Sequence, residues 1–328
     1  CAALGGCALA LDLPESLSPS NSSDGGPVIP NQDTGPAPLD AGSSATDGGV
    51  VAADAGSVPC DGDVFRVDHP FAQIDGAQII YVRSGATGDG SSTETPAGEF
   101  NAMPAGDGPV VVLFAAAEAH TWNLQLDAVT RPLALIGSCA ETVQLEAQGA
   151  PLVHQQGGEL RLARLGLGGT AGDQALIEVS AAGGLSADHL SITTTGDSHG
   201  IHIEAGGDVT LQHSHFAAIG GHALSGEQAV GSWTLEDNTF LGPIGLDGIS
   251  IVDFGGSGFR MIGNNQFQTI KGTALAVQQA LGSWTLEDNT FRGPIDGDGI
   301  SIVDFSGSGF RVAANTFTEV AGSGIFAS

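Results

Sequence analysis

Apolar and polar positions alternate in short runs along the second half of this chain. Ile201-His202-Ile203, Ile249-Ser250-Ile251, Leu275-Ala276-Val277 and Ile300-Ser301-Ile302 are such runs. Alternation places every second side chain on one face of a strand. The runs are too short for helices, and Gly, Asn and Asp separate them. The pattern predicts a succession of short strands joined by tight corners.

The runs also repeat. GSWTLEDNTF stands at Gly231–Phe240 and at Gly282–Phe291, DGISIVDF at Asp247–Phe254 and Asp298–Phe305, and SGFR at Ser257–Arg260 and Ser308–Arg311, always 51 residues apart. Each block divides again. A marker ends a tetrapeptide at Leu190, Phe216, Phe240, Phe267, Phe291 and Phe317, in steps of 26, 24, 27, 24 and 26 residues. Two residues before the markers stand Asp188, Ser214, Asn238, Asn265, Asn289 and Asn315, and a little earlier Val209, Trp233, Trp284 and Phe310. Three or four after them stand Ile219, Ile244, Ile270, Ile295 and Val320. Ahead of each alternating run comes a polar corner: Gln174, His199, His222, Asp247, Thr273, Asp298 and Ser323.

A period near 25 with three apolar runs predicts a coil of three strands per turn, with like residues stacked ~4.8 Å apart. The Phe and Ile columns are expected to face inward. The Asn column is expected at a tight corner, bonding along the stack and tolerating a left-handed backbone.

Separate Asn, Phe and Ile columns that survive length changes of two or three residues resemble the right-handed parallel β-helix of pectate-lyase-like proteins, over Gln156–Ser328. The strand AQIIYVR at Ala77–Arg83, GDGSS at Gly88–Ser92, the P-x-G-x-F element at Pro96–Phe100 and VVVL at Val110–Leu113 are similar to the opening of many secreted members. The resemblance implies an all-β right-handed parallel β-helix solenoid of 24–27 residues per rung. It also implies a short capping helix after the Pro-containing element, for which Asn101–Gly108 leaves little room. It implies little about activity.

Leu4-Gly5-Gly6-Cys7 resembles a bacterial lipoprotein signal-peptidase box with Cys7 as the lipidated residue. Pro14 to Val58 is rich in Pro, Gly, Ser, Asp and Ala, without Lys, Arg or aromatic residues. Such a segment buries too little apolar surface to offset its chain entropy and is expected to be a disordered tether. The expected organisation is therefore residues 1–6 as a signal-peptide remnant, 7–58 as lipid-anchor cysteine and linker, 59–155 as a lead-in with the first irregular rungs, and 156–328 as regular rungs. The chain ends GSGIFAS inside a rung, so further rungs or a cap are expected beyond Ser328. Two cysteines in the folded part of an exported chain, Cys60 and Cys139, predict one disulfide, the alternative being two unpaired thiols.

Composition fits a coil: 14% of residues are charged and 51 are glycine. No apolar run is long enough for a transmembrane helix. The net charge of −28 with only nine basic residues argues against nucleic acid as a partner. It also argues against polyanionic sugars unless calcium bridges the two.

Four chemistries bear on these residues. The D-G-I sequences at Asp247 and Asp298 resemble those of β-helix hydrolases of the polygalacturonase type, whose carboxylates lie near such a corner, and paired carboxylates can act as acid and base. They are two rungs apart with Thr273 between, and the family's adjacent Asp-Asp pair and basic R-x-K element are missing. The plainer reading, a polar corner capping a turn, is preferred. His199, His202, His213, His215 and His222 form a metal-ligand-rich stretch, but strand alternation spreads them over different faces. Asp296 and Asp298 with Asp247, or Asp253 with Asp304, offer oxygens to calcium; His199 and His222 are the histidine candidates. Lyase chemistry lacks an assembled base, since the only lysine is Lys271 and Arg260 and Arg311 simply repeat in register.

The expected function is that of a cell-envelope, lipid-anchored β-helix lipoprotein at the outer membrane or cell surface. It would contact the bilayer through its anchor and polysaccharide or cell-surface glycan through its wall, in a structural or adhesive role, with no catalytic site and no resident cofactor beyond a candidate Ca2+. The alternative is a polysaccharide lyase, hydrolase or epimerase using the Asp247 and Asp298 corner.

Overall fold

The computed structural model describes residues 64–180 and 183–328. Cys7, Cys60 and the expected tether lie outside these residues. The described chain is a parallel β-solenoid of three sheets, with ten, nine and nine strands. Each turn visits the three faces in the same order. The first complete turn is Val110–Ala115, His120–Asn123 and Leu126–Val129; the last is Gly309–Ala313, Thr316–Val320 and Ile325–Ala327. An additional strand, Gln78–Arg83, pairs in parallel with Val110–Ala115 and begins the first face.

Alternation explains the core. Ser232–Glu236 buries Trp233 and Leu235 between half-exposed neighbours, and Ile300–Phe305 buries Ile300 and Ile302. The inward columns stack as the repeat predicts. Phe216, Phe240, Phe267, Phe291 and Phe317 stand ring on ring, with centroids 4.8, 4.6, 5.0 and 4.7 Å apart and planes within 12° of parallel. The Ile column runs Ile219, Ile244, Ile270, Ile295, Val320. Its step of three or four residues has a local cause. The longer turns insert Gly242-Pro243 or Gly293-Pro294, and the ladder shifts register there.

Four columns differ from expectation. The residue paired with Phe216 is Ile192, so the first marker step is 24 residues and Leu190 belongs to the preceding column, where its N–H donates to Ser214 Oγ at 3.2 Å. Asp188 consequently leaves the Asn column and ends a first-face strand opposite Gln212. The ring column ahead of the marker is continuous through Val209, Trp233, Phe259, Trp284 and Phe310, with Phe259 joining it. In the polar corner, Ala175 rather than Gln174 stands opposite His199.

The Asn column bonds along the stack as expected. Ser214 N–H donates to Asn238 Oδ1, Asn238 N–H to Asn265 Oδ1 and Asn289 N–H to Asn315 Oδ1, all at 3.0 Å. The left-handed residue is the one before it: His189, His213, Asp237 and Asp288 have φ of 53°, 48°, 54° and 58°. One left-handed residue swings the chain from first to second face; after Asp237 and Asp288 the buried Asn238 and Asn289 amides donate to neighbouring backbone carbonyls.

No α-helix occurs among the described residues. A three-residue 3-10 turn, Pro70–Ala72, precedes the first strand. The lead-in packs outside the first face: Phe65 and Ala72 cover Val111, Leu113, Ala115, Ala134, Ile136 and Ala163. That cover is why Val110–Ala115 and Leu133–Gly137 are apolar and buried on both sides, where first-face strands from Gly184–Asp188 on alternate.

Candidate functional site

Two corners gather the polar side chains singled out in the sequence. The first leads onto the third face. Here each side chain accepts the backbone N–H of its successor one turn on. His199 Nδ1 accepts from His222 N at 2.9 Å, His222 Nδ1 from Asp247 N at 3.1 Å, and Asp247 Oδ1 from Thr273 N at 2.8 Å. Thr273 Oγ1 accepts from Asp298 N at 3.3 Å, and Asp298 Oδ1 from Ser323 N at 2.6 Å. The column is a ladder of side-chain caps. Asp247 and Asp298 do not face one another; the Thr273 hydroxyl stands between them in the chain of bonds.

The His199 and His222 rings stack 5.3 Å apart, 15° from parallel. Burial is the main cause that lowers both their pKa values, and for His199 the neighbouring His222 and His202 add to it. The Asp247 carboxylate, 3.6 Å from His222 Nδ1, works against that lowering. An acceptor Nδ1 fixes the proton of each neutral ring on Nε2.

The five histidines do not converge. His202 bonds Ser225 Oγ at 2.9 Å on the third face, and His215 bonds Thr239 Oγ1 at 2.7 Å on the second. Asp253 and Asp304, with Gln279 between, line a shallow open depression of about 400 Å3 at the corner from third to first face. Asp296 follows Ile295 at the far end of a second-face strand.

The second corner, from first to second face, holds a cluster that column reading missed. Asp188 Oδ1 lies 2.8 Å from Nδ1 of His189 and 2.9 Å from Nδ1 of His213. The two rings stack 4.7 Å apart. His69, from the lead-in, places Nε2 3.8 Å from Asp188 Oδ2, and Asp237 Oδ2 lies 3.8 Å from His213 Nε2. Burial alone would raise the Asp188 pKa; bonds from His189, His69 and His213 overcome it and hold the carboxyl far below its usual range. Among the described residues, Asp188, His189 and His213 are the one group of three such side chains spaced to share an ion. Asp296, Asp298, His199 and His222 form no such group. The available signal was alignment: with Ile192 in the marker column, His189, His213 and Asp237 fall into register. Nothing in the repeat could have located His69.

Cys139 is buried beside the first face; its expected partner Cys60 lies outside the described residues. No helix of the described residues is long and apolar enough to cross a membrane. A scan of family models matches none to this chain, and a search of curated proteins finds no match. The geometry of the described residues defines the class: a parallel β-solenoid with capped corners and a His/Asp cluster at one of them.

Proposed function

We propose that this chain is a lipid-anchored cell-envelope protein whose solenoid serves as a rigid wall for contact with cell-surface glycan. The capped corner carries the reading. Asp247 and Asp298, the carboxylates best placed for acid–base chemistry, are each engaged by a backbone N–H of the next turn. A carboxylate so engaged holds a turn together. Ten first-face strands at ~4.8 Å spacing make a wall about 43 Å long, which offers an extended contact surface. The LGGC sequence ending at Cys7 supports lipid anchorage, and the Pro- and Gly-rich stretch after it suits a spacer. With a net charge of −28, neutral glycans, or anionic ones bridged by calcium, are the fitting ligands.

The test is a glycan binding and degradation screen on the full chain, with and without calcium. Binding without cleavage supports the proposal. Cleavage that disappears in Asp247→Ala or Asp298→Ala overturns it in favour of a polysaccharide lyase, hydrolase or epimerase. Metabolic labelling with a palmitate analogue tests the anchor: label is expected on the wild-type chain and absent from Cys7→Ser.

A further inference from the structure

We propose that Asp188, His189 and His213 bind one divalent first-row transition ion of the zinc or nickel class. One ligand atom from each of the three residues lies within 4.8 Å of the other two, and Asp188 Oδ1 stands 2.8 and 2.9 Å from the two Nδ1 atoms. Ligand atoms about 2.0–2.1 Å from a tetrahedral ion stand about 3.3–3.4 Å apart. A small outward movement of the two rings therefore opens the position. Imidazole nitrogen favours zinc, nickel or copper, whereas calcium and magnesium take oxygen.

The carboxylates around His213 favour a cation. His213 faces a carboxylate at each nitrogen, Asp188 at Nδ1 and Asp237 at Nε2. A neutral imidazole has one proton to give. Asp237 is itself steadied by Asn264 Nδ2 at 3.3 Å. Without an ion, His213 Nδ1 bonds Asp188; an ion taking that nitrogen would leave the ring's one proton on Nε2 toward Asp237, the carboxylate–histidine–metal arrangement of many metal sites.

His69 has a different part. Its Nδ1 accepts the N–H of Phe71 at 3.2 Å, so Nε2 carries the proton and faces Asp188 Oδ2. It is a positioning residue for the second carboxylate oxygen, and it couples the lead-in segment to the site. Three protein ligands leave one coordination position for water or an outside ligand. The ion would also tie together two successive turns, since His189 and His213 occupy the same corner one turn apart.

The experiment uses the full chain, stripped with a chelator and titrated with Zn2+, Ni2+ or Ca2+ alone, read by calorimetry and thermal melting. One Zn2+ or Ni2+ per chain is expected, with a rise in Tm and no response to Ca2+ at this site. His189→Asn and His213→Asn should each weaken Zn2+ binding at least tenfold. Asn is the choice because it tolerates the left-handed backbone at these positions. Asp237→Asn should weaken binding about 10–100-fold while keeping one ion per chain, and His120→Asn should change nothing. Nitrogen NMR of the unaltered protein reads the site without a variant: the His189 and His213 imidazoles should shift on adding Zn2+ while those of His199 and His222 do not. Absence of saturable Zn2+ and Ni2+ binding overturns the proposal. So does binding that leaves the His189 and His213 resonances unmoved, or that survives both Asn variants at full affinity.

Discussion

Asp247 Oδ1 accepts the backbone N–H of Thr273, one turn further along the solenoid, at 2.8 Å. The bond makes the side chain a cap for the following turn. Asp247→Ala leaves that N–H without its partner, at a cost of about 1–3 kcal/mol. Asp247→Ser or Asp247→Asn retains an acceptor at the corner and should recover most of the loss, since Thr273 fills the same role for Asp298. Urea denaturation of the three variants checks this. Equal stability of Asp247→Ala and wild type would mean the cap contributes nothing.

The buried amide column predicts a steeper loss. Asn265 is fully buried; its Oδ1 accepts from Asn238 N and Nδ2, and its own Nδ2 donates to Leu235 O and Asn289 Oδ1. Asn265→Leu removes these bonds and leaves buried backbone groups in two turns unpaired. With each such group costing about 1–3 kcal/mol, the expected destabilisation is on the order of 3 kcal/mol or more. Each turn of a solenoid touches only its neighbours, so the damage should be local. Hydrogen exchange should show lost protection around Asn238, Asn265 and Asn289, with the turns near Val110 keeping theirs.

How much of this was legible in the sequence follows from the repeat. Where side chains recur at equal positions, as with Phe216 to Phe317, stacking at strand spacing dictates the column, and the structure shows it. Where a turn departs from the repeat, several apolar residues fit the marker equally well. Leu190 and Ile192 are both apolar, and only the ladder chooses Ile192. That one choice concealed the Asp188 corner, because it moved Asp188 into the wrong column. His69 lay beyond any local rule: it reaches Asp188 because the lead-in segment packs on the outer side of the first face.

A glycine gives the third prediction. A Cβ at Gly226 would stand 2.5 Å from Trp233 Cη2. The Trp233 ring therefore fills the space that a side chain at position 226 would take. Its Nε1 is buried without a hydrogen-bond partner, while Trp284 in the second copy of the repeat donates to Leu281 O at 2.7 Å. Gly226→Ala overpacks the core and should cost about 1–3 kcal/mol. Combined with Trp233→Phe, which shortens the ring and removes the unpaired N–H, it should cost clearly less than the sum of the two single changes. A double-mutant cycle measured by denaturant unfolding reads the coupling. Strict additivity would show that the close approach does not govern the packing here.

The stacked histidines give the solenoid a direction of pH dependence. His199 and His222 each accept a backbone N–H at Nδ1, and burial lowers the pKa of both. The neutral rings are thus favoured by the fold. As pH falls through the unfolded value, about 6.5, the unfolded chain takes up protons before the folded one does. Unfolding free energy then decreases as pH drops. The contribution is complete above about pH 6.5 and is lost progressively below it, until the folded-state rings also protonate. Asn at both positions supplies an acceptor that does not titrate. The double variant His199→Asn/His222→Asn should therefore flatten the stability profile on the acid side of pH 6.5 relative to wild type, with less change above it. Chemical denaturation at a series of pH values measures both profiles. Parallel curves for the two proteins would assign the acid sensitivity to other groups.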